Sequence, residues 1–176
     1  MWYTPTVSVA PTSEPVSLVE AKRHARVDAT YDDDYLTDLI SVARNHVEKY
    51  CGAALATQTV VVKADAWSDF TNLSVFPVQS IASIAYVDAV GVTQTLDAAV
   101  YELRGDAIIL KYGQSWPSVQ TGSLITVTAV IGATAVEPAV KHAILIRLAD
   151  LYESRGSEDE SGWTAFDALL SNHRYY

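Results

Sequence analysis

A single cysteine among 176 residues excludes an intramolecular disulfide. Cys51 falls where a helix is expected to end, so it reads as a small apolar core residue in a reducing compartment. Basic residues are scarce as well, with 12 Lys and Arg against 21 Asp and Glu, a net charge of −9. Phosphate contacts are made mainly by Lys and Arg, which argues against a nucleic-acid-binding surface of the usual kind. The negative charge favours solubility and mutual repulsion of copies instead. No run approaches the roughly 18 apolar residues of a membrane span. The N-terminus also lacks the basic-then-apolar order of a secretion signal, so a soluble cytoplasmic product is expected.

Recognisable reacting groups are missing too. His24, His46, His142 and His173 form no HExxH pair and no close pair with Cys51, which leaves zinc without a ligand set. The eight glycines are scattered at turns and helix ends, with no phosphate-binding loop. Gly113-Gln114-Ser115 lacks the last glycine of a nucleophile elbow. Asp32, Asp33 and Asp34 lack the alternating ligands and glycine of a calcium loop, and read instead as carboxylates capping the next helix. Arg104-Gly105-Asp106 reads as a tight turn. We therefore expect no enzyme, no catalytic or metal-ligating residue and no cofactor.

What is present is a substantial hydrophobic fraction, 49%, enough for a real core. The organising stretch is 137–154, where Val140, Ala143, Ile144, Leu148, Leu151 and Tyr152 recur at three- and four-residue steps. Leu145, Ile146 and Ala149 widen that stripe, so the helix needs more than one neighbour. Pro138 suits its first turn, and Arg155-Gly156 is expected to close it. Two earlier helices are available as neighbours. Ser17 with Glu20 makes a capping box ahead of Leu18, Ala21 and Ala25, a short helix ending near Val27. A second runs from about Asp34 to Tyr50, with Leu36, Leu39, Ile40, Ala43, Val47 and Tyr50 inward and Gly52 as its stop.

Between these helices the period changes to that of strands. Thr57 to Ala66, the run around Ile81 to Val87, Val92 to Leu96, Tyr101 to Leu103, Ala107 to Lys111 and Ser123 to Ile131 are short and rich in β-branched residues. The fold class is therefore α+β: a helical bundle of two N-terminal helices and a long C-terminal helix, carrying an inserted small antiparallel β-sandwich or barrel. The expected divisions are an extended arm over 1–14, a helical domain over 15–56 and 133–156, the β domain over 57–132, and a linker with a C-terminal docking segment over 157–176.

That last segment is the candidate site. Gly156 to Gly162 is small and acidic, the composition of a mobile linker. Beyond it Trp163, Phe166 and Leu170 fall at steps of three and four, Leu169 broadens the stripe, and the chain ends Arg174-Tyr175-Tyr176. One reading folds this stripe back onto the core. The other makes it a docking element, in which the linker supplies reach, the apolar side chains supply buried area and Arg174 a directed polar contact.

The order of elements resembles the adaptor, or head-to-tail connector, proteins of long-tailed bacteriophages and gene transfer agents, in the group with a β insertion between helices. The matching stretches are Pro15 to Asp28, Asp32 to Gly52, Phe76-Pro77-Val78 leading to Tyr86-Val87-Asp88, Gln94-Thr95-Leu96, Trp116-Pro117, Pro138 to Arg155, and Ala168-Leu169-Leu170 to Arg174. The resemblance implies a structural part of the virion neck, assembled in the host cytoplasm. It would form a ring, twelve copies by analogy, that joins the portal protein to the stopper or tail. DNA would pass through its lumen without sequence-specific binding. It also implies that the C-terminal segment meets the portal, which makes Trp163, Phe166, Leu169, Leu170, Arg174, Tyr175 and Tyr176 the candidate portal-binding residues. A stopper or tail-completion protein, binding tail components through its β loops, is the alternative.

Overall fold

The computed structural model describes residues 1–154 and 164–175. They divide into two compact units, one of residues 1–12 with 57–133 and one built from 13–56 and the described part of 134–176.

In the second unit Ser17 opens α1, Leu18–Ala25, with the reciprocal capping box formed: Glu20 N–H donates to the Ser17 hydroxyl, and Ser17 N–H to the Glu20 carboxylate. The helix stops about two residues early because Arg26 adopts a left-handed cap, φ +55°. Helix α2, Asp33–Cys51, follows and ends at Gly52, φ +71°. The aspartates ahead of it do something other than the capping expected: Asp32 makes no side-chain cap bond. Asp33 instead receives the Lys22 ammonium, and Asp32 accepts from the Tyr152 hydroxyl at 2.7 Å. A nearby cation and a phenol satisfy these carboxylates better than the solvated end of the helix does.

Helix α3, Pro138–Ser154, buries Val140, Ala143, Ile144 and Leu148, and both α1 and α2 pack on it. Leu36 and Leu148 are fully buried, each contributing roughly 1.5 to 3 kcal/mol by leaving water. The Arg155-Gly156 closure lies outside the described residues. A short helix α4, Ala165–Leu170, packs back on α3 and runs into a 3-10 turn, Ser171–His173.

The first unit is a sheet. Its strands are β1, Thr6–Val9; β2, Gln58–Ala64; β3, Val78–Val87; β4, Thr93–Thr95; β5, Tyr101–Arg104; β6, Ala107–Leu110; and β7, Ile125–Ile131. Five of them form one antiparallel sheet in the order β1-β2-β7-β3-β4, while β5 and β6 make a separate hairpin. Of the two expected arrangements the closed barrel is not formed, because among the described residues the sheet stays open at β1 and β4 and the hairpin strands pair with each other. β7 is central, and its alternation buries Ile125, Val127, Ala129 and Ile131 beside Val60, Val62 and Ala64 of β2.

The N-terminal stretch is extended and lies along the sheet. Trp2 stacks on Phe70 at 5.6 Å and its indole N–H points at the Asp69 and Asn72 carbonyls, while Thr6–Val9 pairs with β2. The open backbone edge of β2 gives an uncharged, β-branched segment somewhere to pair. Trp67 stacks on Trp116 at 4.8 Å and donates its indole N–H to the Pro117 carbonyl, closing an aromatic cluster over one end of the unit.

Candidate functional site

The C-terminal segment is seated on its own chain. Thr164 caps α4 through the same reciprocal box as α1, its hydroxyl and amide both donating to Asp167 Oδ2 at 2.7 and 2.9 Å. The other carboxylate oxygen of Asp167 accepts from the Tyr50 hydroxyl of α2 at 2.8 Å. Phe166 lies between the His46 and Tyr50 rings, with centroids 5.4 and 5.2 Å away. Leu170 is completely buried, and Leu169 is half-buried.

Beyond the 3-10 turn the chain is held by its backbone. Tyr175 N–H donates to the Cys51 carbonyl at 2.8 Å, directly over the end of α2. A Cβ at Gly52 would lie 2.6 Å from the Tyr175 carbonyl oxygen, so glycine is required there for close approach as well as for its positive φ. The Arg174 guanidinium stands over the Tyr50 ring, 4.0 Å from its centroid, and His173 Nε2 is 3.9 Å from Glu137.

Of the candidate residues, then, Phe166, Leu169 and Leu170 form the inner side of this seat. Arg174 and Tyr175 stay exposed at its edge. Trp163 and Tyr176 lie outside the described residues. Of the two readings of the tail, folding back is the arrangement in the structure, because the stripe finds an aromatic, apolar surface on α2 within reach. The sequence reading missed the host side of the seat: His46, Gly52 as a contact and Tyr50 as a donor. It also passed over the Thr164-x-x-Asp167 capping signature, which was there to be read.

The electrostatics follow from these contacts. The Thr164 hydroxyl, the Thr164 amide and the Tyr50 hydroxyl, in that order, hold the Asp167 carboxyl down at about 2. Burial pushes the Tyr50 phenol up, reinforced by its bond to Asp167, and burial likewise raises the Cys51 thiol. Because the Asp167 value is depressed in the folded state, its hold on the segment is fully present above about pH 4, the usual aspartate range, and disappears as pH falls toward about 2. A carboxyl titration followed by NMR is expected to give Asp167 a midpoint near 2, and Thr164→Ala is expected to raise it more than Tyr50→Phe does. Equal shifts in the two variants would mean that the cap is not the main cause.

The chain belongs to the phage gp6-like head-tail connector protein family, whose model matches residues 15–105, just over half of its length. This is a family of structural proteins. Solved structures extend the likeness to the whole fold. A chain from the neck of an empty gene transfer agent particle, computed with C6 symmetry, matches at TM-score 0.82 and 21% identity, covering 99% of this chain and 96% of that one. A chain from the virion of a native gene transfer agent particle matches at TM-score 0.81 and 21% identity, with 99% and 96% covered. A third, from the neck of a native particle computed with C12 symmetry, gives 0.70 and 20% identity over 96% and 95%. No curated protein matches the sequence.

Proposed function

We propose that this head-tail connector is the adaptor of a tailed phage or phage-like particle. In this reading copies form a ring in the virion neck that joins the portal to the stopper or tail and continues the DNA channel. The observation that carries the reading is the end-to-end fold match with neck chains, one of them from a neck computed with twelve-fold symmetry, combined with family membership. A heterologous contact repeated with a closing rotation produces such a ring without any catalysis.

The portal contact is assigned to the C-terminal segment: Trp163, Phe166, Leu169, Leu170, Arg174, Tyr175 and Tyr176. The exposed Arg174 and Tyr175 meet a partner directly, while Leu170 reaches one only by leaving its seat. Twelve weak contacts of this kind around a ring become avid together, since each docked copy raises the local concentration of the rest.

The test is co-purification with the portal protein encoded beside this chain, comparing full length with a chain ending at Ser161. Loss of capture on truncation is the expected result. Capture by both versions overturns the assignment of site residues while keeping the adaptor role. Capture by neither, with retention on tail components, moves the assignment to a stopper or tail-completion protein.

A further inference from the structure

Two exposed faces of the helical unit carry opposite charge, and neither is used by the seat of the C-terminal segment. On α1, Val19 is 66% exposed, the exposed Arg23 follows four residues on along the same face, and the exposed Arg26 caps the helix just beyond it. Among the described residues neither arginine makes a salt bridge, so both guanidinium groups face solvent. On α2, Asp34, Tyr35, Asp38 and Val42 are exposed at helical spacing, Tyr35 at 38% and Val42 at 48%. Asp34 and Asp38 also make no salt bridge among the described residues. The α1 face is thus one valine with two basic charges, and the α2 face a tyrosine and a valine with two acidic ones.

We infer that the α1 face of one copy (Val19, Arg23, Arg26) docks on the α2 face of the next (Asp34, Tyr35, Asp38, Val42), making the head-to-tail contact between subunits. The occupant of each face is a second copy of this chain, and charge decides the mode. Pairing α1 with α1, or α2 with α2, sets like charges against each other, so a two-fold dimer is disfavoured. Pairing α1 with α2 satisfies four charges and covers two valines and a tyrosine. The contact is heterologous and leaves one free face of each kind on every growing oligomer, which is what ring closure needs. It also answers a difficulty of the composition: copies with a net charge of −9 repel, and the basic α1 face gives them a local site of attraction. The inference rests on the adaptor reading and names the surface through which it operates.

The experiment uses the full chain with portal protein, reading portal capture and copies per portal separately. R23E/R26E and D34R/D38R are each expected to be captured yet to lose ring completion, with self-association at least about tenfold weaker and the wild-type contact itself weakening as salt is raised. The quadruple variant R23E/R26E/D34R/D38R restores opposite signs across the contact and is expected to recover complete rings. A second, fold-neutral check uses V19C and V42C with a short bis-maleimide: either variant alone gives no dimer, a mixture gives dimers, and V19C/V42C in one chain gives a ladder. Complete rings in either single-face variant, or cross-linked dimers from V19C alone, overturn the inference and leave the adaptor reading in place. Failure of the wild-type chain to bind portal or to associate overturns both.

Discussion

Arg44→Ala is expected to lower the melting transition of the helical unit by on the order of 10 °C. Arg44 is only 5% exposed, the single charged side chain among the fully buried described residues. Its Nε donates to Glu14 at 2.7 Å and its Nη1 to Glu48 at 2.6 Å. Glu48 uses its second oxygen to accept from the Leu55 and Ala56 amides at 2.7 and 3.2 Å. One arginine therefore ties down both the stretch entering α1 and the stretch leaving α2. Removing it strands a buried carboxylate, which typically costs about 3 to 5 kcal/mol, and in a chain of this size each kcal/mol moves the transition by about 2 to 4 °C. Arg44→Met combined with Glu48→Gln is expected to recover much of the loss, because glutamine still accepts from Leu55 and Ala56 and the only carboxylate left without its arginine is the more exposed Glu14. Calorimetry of the three proteins decides it. A shift below about 2 °C for Arg44→Ala would show that Glu14 and Glu48 find other partners or water.

The second large effect is expected at Gly52, and it is local. A valine there must adopt φ +71° and place its Cβ 2.6 Å from the Tyr175 carbonyl. The left-handed conformation costs a residue with a Cβ roughly 1 to 2 kcal/mol, more for a β-branched one. The clash is with backbone and cannot be relieved by a rotamer, so the strand of chain over α2 has to move. The Tyr175 N–H bond to the Cys51 carbonyl and the Arg174 stack on Tyr50 go with it. Gly52→Val is expected to abolish exchange protection of the Tyr175 amide and to speed tryptic cleavage after Arg174. The buried amides of α3 should keep their protection. An unchanged Tyr175 amide would mean that the end of the chain is not held by this contact. Faster exchange throughout α3 would mean that the seat is part of the core rather than an addition to it.

How much of this was legible varies element by element. The Ser17–Glu20 box, the apolar period of α2 and its Gly52 stop depend on residues within a few positions of each other, and they came through with boundaries shifted by a residue or two. The strands between Gln58 and Ile131 were recognisable from β-branched composition, since that preference is local as well. β1 was not, because Thr-Val-Ser-Val is only four residues between prolines, too short to stand as a strand until β2 offers its edge. The insertion of β7 between β2 and β3 was equally hidden, since pairing order depends on contacts between residues more than forty positions apart. At the candidate site the apolar stripe of the tail could be read. Its seat on Tyr50 and Cys51, more than a hundred residues upstream, could not.

By itself the sequence determined the class of fold, the membership of a connector family and the apolar C-terminal stripe, because periodicity, caps and charge balance act over one or two turns of chain. The tertiary structure decided the rest: that the sheet is open rather than closed, that Arg44 is buried between two glutamates, and that the tail lies on α2. Those outcomes depend on which distant surfaces are complementary, and a hydrogen bond between Tyr50 and Asp167 exists only once the fold has brought the two together.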